Sequence, residues 1–269
     1  MTRIAISIIL NGLHHLKEQL RFNPFKQNFD GIGNFDQWIF VEGASKNTHC
    51  TSWCNQINDT YHKDGHSVDG TLEYLRDLEA NPLLKDKIKV VTTDGLWDGK
   101  VSMFNAGIAH LNQPCWLWQI DIDEYWRSEQ LAHSESIVDR LECDGAAFAC
   151  DYLLTDDIIV RGEWGESTQH GYRRLFKYTP GSQFIAHEPP VLQGVKKIVP
   201  PYLLPRFKHL SYYYEQDVVF KSKWYGDHEN IHKGWQAIVS GAQPLPCYVE
   251  NLFMKKVSDA WKNTIITYR

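Results

Sequence analysis

The sequence predicts an α/β protein with a mostly parallel central sheet flanked by helices, followed by an elaborated C-terminal region. Three observations predict it. Short, β-branched apolar runs alternate with segments of helical spacing through the first 120 residues. Each run stops at a polar or glycine-bearing turn. After residue 145 the alternation breaks down and Pro and Gly crowd between Pro180 and Pro205. There is no internal repeat, low-complexity tract or clear linker. One continuous domain over 1–269 is therefore expected, with halves at 1–126 and 127–269.

Taken in order, Ile4 to Leu10 reads as a buried strand ended by Asn11-Gly12. His14 to Arg21 reads as a helix up to the break at Pro24. Gln37 to Val41 is a second strand, ending in Glu42-Gly43-Ala44-Ser45. The polar stretch Lys46 to Gly70 reads as a long loop, and long loops in compact domains often carry function. Thr71 to Glu79 has Leu72, Leu75 and Leu78 at helical spacing. Lys87 to Val91 is a third strand, Gly99 to Leu111 a helix, and Cys115 to Ile120 a fourth strand that runs straight into Asp121. Beyond it, Gly145 to Cys150 and Tyr172 to Tyr178 read as strands. Ser211 to Trp235 reads as partly helical, and Val249 to Trp261 as a terminal helix.

Composition excludes some classes. Apolar residues make up 43% and charged residues 23%, as in an ordinary globular protein, and a formal net charge of -5 offers no basic field for nucleic acid. The run Ile4 to Leu10 is too short to span a membrane and has no small-residue cleavage site, so no transmembrane segment and a cytoplasmic location are expected. Six Cys occur without a CxxC pair. His49-Cys50 and Cys54 lack the second pair of a zinc site, which predicts free thiols. The 10 Trp and 13 Tyr either fill a core and its rim or stack on sugars and bases.

In parallel sheets, ligands bind beyond the carboxyl ends of the strands. Asn11, Glu42, Asp94 and Asp121 all follow predicted strand ends, so they can gather on one edge. The main signal is Asp121-Ile122-Asp123-Glu124, three carboxylates delivered by the apolar strand Trp116 to Ile120. Like charges this close repel unless a cation or hydrogen bonds compensate. A hard divalent ion such as Mn²⁺ or Mg²⁺ would do so and could bridge to phosphate. A solvated acidic loop is the plainer alternative.

These motifs, in the order strand, Asn-Gly, Val41-Glu42-Gly43-Ala44-Ser45, Asp69-Gly70-Thr71, Trp97-Asp98-Gly99-Lys100 with a downstream Asn105, then Asp121 to Glu124, resemble those of GT-A glycosyltransferases of the family 2-like branch. The resemblance covers roughly residues 4 to 126, with a long insertion after Ser45. It implies a GT-A fold and metal-dependent transfer of a sugar, with inversion, from a UDP- or GDP-linked donor to a glycan or other hydroxyl acceptor. Asp121 would contact ribose or metal, Asp123 would bind Mn²⁺ or Mg²⁺, and Glu124 would support it or meet the acceptor. Asn11 and Glu42 would line the base and ribose pocket, and Asp94, Lys100 and Asn105 would lie near the donor. Lys100 could equally be a surface lysine at a helix start, and Asn105 could equally make a core hydrogen bond.

For the second half, the resemblance offers Glu188, in His187-Glu188-Pro189-Pro190, as the general base that deprotonates the acceptor. Asp156 competes for that role, with Asp151, Asp157 and Glu163. His209, in His209-Leu210-Ser211-Tyr212, would complete the metal site, with Lys208, Lys221 and Lys223 adding charge and His228 a weaker candidate. Tyr212 to Tyr214, Trp224-Tyr225 and Trp235 wall an acceptor groove or pack in a core. Trp164 could cover the donor from a mobile loop. Two other readings compete: a phosphohydrolase of the haloacid-dehalogenase kind, and a catalytically inactive nucleotide- or sugar-binding module. A sugar nucleotidyltransferase is disfavoured, since no Gly-rich basic loop follows the first strand.

Overall fold

The computed structural model describes residues 1–23, 28–29, 31–48, 56–166, 171–224, 230–259 and 261–269. Pro24, His49, Cys50, Cys54, Tyr225 and His228 lie outside the described residues. The first half gives β1 (Thr2–Ile9), α1 (Leu13–Gln19), β2 (Phe22–Asn23), β3 (Asn28–Phe29), β4 (Gln37–Glu42), α2 (Thr71–Ala80), β5 (Ile88–Val91), α3 (Lys100–Ile108), β6 (Cys115–Gln119) and β7 (Glu124–Tyr125). The second half gives α4 (Ser128–Arg140), β8 (Gly145–Phe148), β9 (Cys150–Leu153), β10 (Ile158–Arg161), α5 (Glu163–Glu166), β11 (Tyr172–Tyr178), β12 (Phe184–His187) and β13 (Pro190–Leu192). It ends with β14 (Ile198–Val199), β15 (Phe207–His209), α6 (Glu215–Trp224), α7 (Ile231–Val239), β16 (Cys247–Tyr248), α8 (Val249–Phe253) and β17 (Ile265–Tyr268).

Seven strands form the central sheet in the order β14-β8-β11-β6-β1-β4-β5. β1 pairs in parallel with β4 and β6, β4 with β5, and β8 with β14, while β11 runs antiparallel to both its neighbours. The chain first moves outward from β1 through β4 to β5. It then returns by α3 to place β6 on the other side of β1. That reversal makes a crevice at the carboxyl ends of β1 and β6, where open α/β sheets bind ligands.

The central strands are buried on both faces because alternate side chains enter different clusters. Ala5, Ile9, Trp38, Phe40, Trp116 and Trp118 pack with Leu16 of α1, Leu75 of α2 and Leu131 of α4. Ile4, Ile6, Ile39, Val41 and Leu117 pack on the other face with Phe104 and Ile108 of α3. The hairpin β12–β13 covers that second face beside α3, through Phe184 and Leu192.

A second, six-stranded sheet has the order β16-β17-β10-β9-β15-β7. The sequence does not announce it, and two expectations change with it. Gly145 to Cys150 is not one strand: β8 ends at Phe148, and β9 leaves for the second sheet after Ala149. The terminal helix stops at Phe253, where Met254 turns left-handed at φ 53°, and the chain finishes as β17. The helix α4 is likewise unannounced by the sequence. Cys115, Cys143, Cys150 and Cys247 are buried free thiols. Among the described residues no helix is long and apolar enough to cross a membrane.

Gly107 sets how closely α3 approaches the sheet. A Cβ there would stand 2.5 Å from Ile6 Cδ1 and 2.9 Å from Val41 Cγ2. Gly107→Val should therefore overpack this face and cost about 1–3 kcal/mol. Urea unfolding checks it, and an undiminished midpoint would mean that α3 can shift.

Candidate active site

The acidic loop is held by its backbone before its charges are considered. Ser7, buried in β1, donates to the carbonyl of Ile120 and accepts from Trp38 Nε1 at 2.9 Å. Glu124 N bonds Asp121 O at 2.9 Å and closes a turn. Gln19 at the end of α1 donates to the carbonyls of Ile122 and Glu124. From the second sheet, Leu210 N reaches Asp123 O at 2.8 Å, and β15 sets His209 opposite Glu124. The loop thus leaves one sheet at β6 and enters the other at β7.

The compensating cations come from the protein. Arg174, 5% exposed, lies on β11 where its pairing with β8 shifts register between Arg173 and Leu175. Its Nη2 is 2.7 Å from Asp121 Oδ2 and 2.7 Å from Glu124 Oε1, and its Nε is 2.9 Å from the same Glu124 oxygen. Burial raises the Glu124 carboxyl to about 7, with Arg174 opposing and Asp121 adding to the rise. Asp123 meets Lys221 Nζ at 3.2 Å and His209 Nε2 at 3.5 Å. Burial pushes its carboxyl up, but Lys221 and then His209 outweigh burial and hold it well below the usual range. Lys221 also donates to Ser211 O at 2.7 Å.

Of the predicted metal set, Asp123 and His209 are brought together, while Asp121 turns away to Arg174, so the three do not offer ligand atoms to one centre. Glu42 is fully buried and accepts from Ser67 N at 2.7 Å and His66 Nδ1 at 2.9 Å. Asn11, at φ 52°, donates to Tyr61 O at 2.6 Å and accepts from Val68 N at 2.9 Å. Both therefore shape the loop Tyr61–Val68 rather than offering free polar groups to the crevice. Asp94 is exposed on the bend after β5. Lys100 heads α3 with Nζ 4.9 Å over the Trp224 ring.

For Asn105 the core alternative holds. Its amide bonds Phe184 O at 3.0 Å and Phe184 N at 2.7 Å, tying α3 to β12. Glu188 is exposed at the tip of the β12–β13 hairpin, after His187, whose ring stacks 5.6 Å from Phe104. Burial, with the charges of Lys100 and Arg174, lowers the His187 pKa to about 2. His187 thus sets the hairpin tip against α3, the helix that begins beyond the carboxyl end of β5. Asp156 is exposed on the β9–β10 turn, with the Tyr213 hydroxyl as its neighbour.

Two aromatic residues take the packing alternative. Trp164 sits in α5, partly buried, and packs against the core among Tyr212, Phe253 and Trp261, with ring centroids 5.3–5.7 Å apart. Trp235 is buried and donates to Tyr212 O at 2.7 Å.

Sequence reasoning missed Arg174, although an Arg pair inside the predicted strand Tyr172–Tyr178 is a signal, since a buried guanidinium needs carboxylate partners. It also missed Gln119, the last residue of β6, which is 1% exposed with neither amide atom hydrogen-bonded. Helix α6 lies across the crevice: Asp217 meets His14 and His15 of α1, Lys221 meets Asp123, and Phe220 packs 4.9 Å from Tyr61. Between α1 and α6 runs a groove of about 790 Å³ lined by His14, Glu18, Tyr61, Tyr214, Val219 and Phe220.

No protein-family model and no curated protein matches the chain. Among solved structures it is similar to S. aureus TarS 1-349, at 12% identity and a TM-score of 0.44 over 90% of this chain and 74% of that one. The complex of TarS 1-349 with UDP-GlcNAc aligns at 12% identity and 0.47 over 88% and 73%, and its complex with UDP at 11% and 0.44 over 96% and 76%. At these scores the likeness establishes neither a family nor an activity.

Removing Arg174 should strand two carboxylates, one of them fully buried. Arg174→Met should cost about 3–5 kcal/mol by chemical denaturation, and Glu124→Gln in that background should restore part of it. His187 gives a pH signature. Its folded pKa lies far below the unfolded value of 6.5, so its contribution is present above pH 6.5 and is lost as pH falls below that value toward 2. Between pH 7.5 and pH 5 the native protein should lose about 2 kcal/mol more stability than His187→Phe. Equal losses in thermal or urea unfolding would rule this out.

Proposed function

We propose that the chain is a GT-A-type glycosyltransferase that moves a sugar from a UDP- or GDP-linked donor to an acceptor hydroxyl, with inversion. The observation that carries this reading is the seat of Asp121 to Glu124: the carboxyl end of β6, at the reversal of strand order, with His209 against Asp123. The ordered motifs of the first half point the same way.

Asp123 and His209 offer carboxylate oxygen and imidazole nitrogen 3.5 Å apart, a donor pair that suits Mn²⁺, with Asp121 two residues away. A divalent ion held there supplies Lewis-acid stabilisation of the departing nucleoside diphosphate. Lys221 and Arg174 set two fixed positive charges against the same acids, and such preorganised charge acts where negative charge develops. Asn11 and Glu42 hold the Tyr61–Val68 loop as one wall of the base and ribose pocket, and Lys100 and Asp94 flank the donor from the neighbouring strand end. Glu188, at the tip of the β12–β13 hairpin, takes the proton from the acceptor hydroxyl. Asp156, beside Tyr213, is the second candidate for that step.

The test is a panel of UDP- and GDP-sugars, read by release of free nucleotide with Mn²⁺, with Mg²⁺ and in EDTA. One donor should turn over. Asp123→Asn and Lys221→Met should each lower kcat by about 10²–10³-fold. Glu188→Gln should block transfer to acceptor and leave donor binding intact. Undiminished turnover in EDTA would remove the metal and leave Arg174 and Lys221 as the cations. Neither binding nor turnover of any nucleotide-sugar would overturn the whole reading.

A further inference from the structure

We propose that His14, His15 and Asp217 form a binding site for a divalent first-row transition cation of the Zn²⁺ class, distinct from the acidic loop, and that the bound ion fastens α6 over the crevice. Among the described residues, these three offer ligand atoms that all lie within 4.8 Å of one another. His14 Nε2 is 3.1 Å and His15 Nε2 2.9 Å from the Asp217 carboxylate. Ligands bound at about 2.0–2.1 Å stand about 2.9–3.4 Å apart around a tetrahedral or octahedral ion, so these separations suit a shared centre. Two imidazoles and one carboxylate favour a borderline transition ion over Mg²⁺ or Ca²⁺.

The rings are already oriented. His15 is 3% exposed, with its centroid 5.4 Å from that of Tyr214 and 6.3 Å from that of Tyr125. His14 stands edge-on to Tyr214 at 5.3 Å. Nδ1 of His15 has no hydrogen-bond partner, so aromatic packing fixes this ring in place of a second polar contact. His14 borders the groove between α1 and α6, which leaves a route for an ion and for water as a further ligand.

The ligands come from two elements, so an ion here joins them. Helix α6 buries only Val218, and polar and aromatic contacts otherwise hold it. One turn beyond Asp217, the same helix sets Lys221 on Asp123. Tying Asp217 to α1 therefore holds Lys221 at the acidic loop. This inference stands on the α1–α6 contact and is independent of the sugar-transfer reading.

Metal-depleted full-length protein is titrated with Zn²⁺ against a chromophoric chelator, and Co²⁺ is added separately to read ligand-field absorption. One equivalent should still bind in Asp123→Asn, which removes the acidic-loop ligand, and His14→Ala and the near-isosteric Asp217→Asn should each weaken that equivalent by about 100-fold or more. Zn²⁺ should slow amide exchange over residues 215–224 in the native protein and not in Asp217→Asn. Three results would overturn the proposal: no stoichiometric binding by folded native protein, binding indifferent to both variants, or binding lost with Asp123→Asn instead.

Discussion

Three carboxylates within four residues, one of them fully buried, make up the constraint around which this molecule is arranged. Unpaired, they would repel one another and the low-dielectric interior would penalise each charge. Arg174 answers two of them at once, with its guanidinium edge shared between Asp121 and Glu124. Lys221 answers the third. Arg174 comes from the strand that runs antiparallel beside β6, at a point where its register shifts, and Lys221 comes from a helix laid over the crevice. A buried pair of this kind is weak as a source of stability but strong as a specification, because removing one partner leaves the other uncompensated.

That constraint explains why the second half of the chain belongs to the site. The acidic loop contributes Glu124 and Tyr125 to the edge of the second sheet as β7, opposite Lys208 and His209. Its carbonyls are met by Gln19 from α1 and its backbone by Leu210. No half of the chain holds the charges by itself: the acids come from residues before 126, and Arg174, His209 and Lys221 all come after it.

How much of this was legible in the sequence follows from which signals are local. β1, β4, β5 and β6 were readable because each is a short apolar run with turn chemistry at its ends, and a strand buried on both faces needs nothing more. A gathering of strand ends was expected from chain order, and His209 beside Asp123 only from the resemblance to GT-A glycosyltransferases. The second sheet was not readable: its strands are two to four residues long, and apart from the β9–β10 hairpin their partners lie far along the chain. β8 and β9 look continuous because the break at Ala149 has no Gly or Pro to mark it. Asn105 was flagged correctly as an anomaly for a helix, but only the structure assigns its amide to Phe184.

Helix α6 illustrates the limit most clearly. A helix that packs by an apolar stripe declares its orientation through period 3.6. α6 has no such stripe; it is oriented by Asp217 and Lys221, one turn apart, each reaching a different partner, with Phe220 against Tyr61. Sequence could name Lys221 as an added positive charge but not the carboxylate it meets. An element held in this way has little apolar area resisting its release, so the charges beneath it decide whether it stays. A ligand that brings negative charge to Lys221, or positive charge to Asp123, changes the balance at this contact between α6 and the acidic loop. Lys221 therefore both compensates Asp123 and fixes α6 over it.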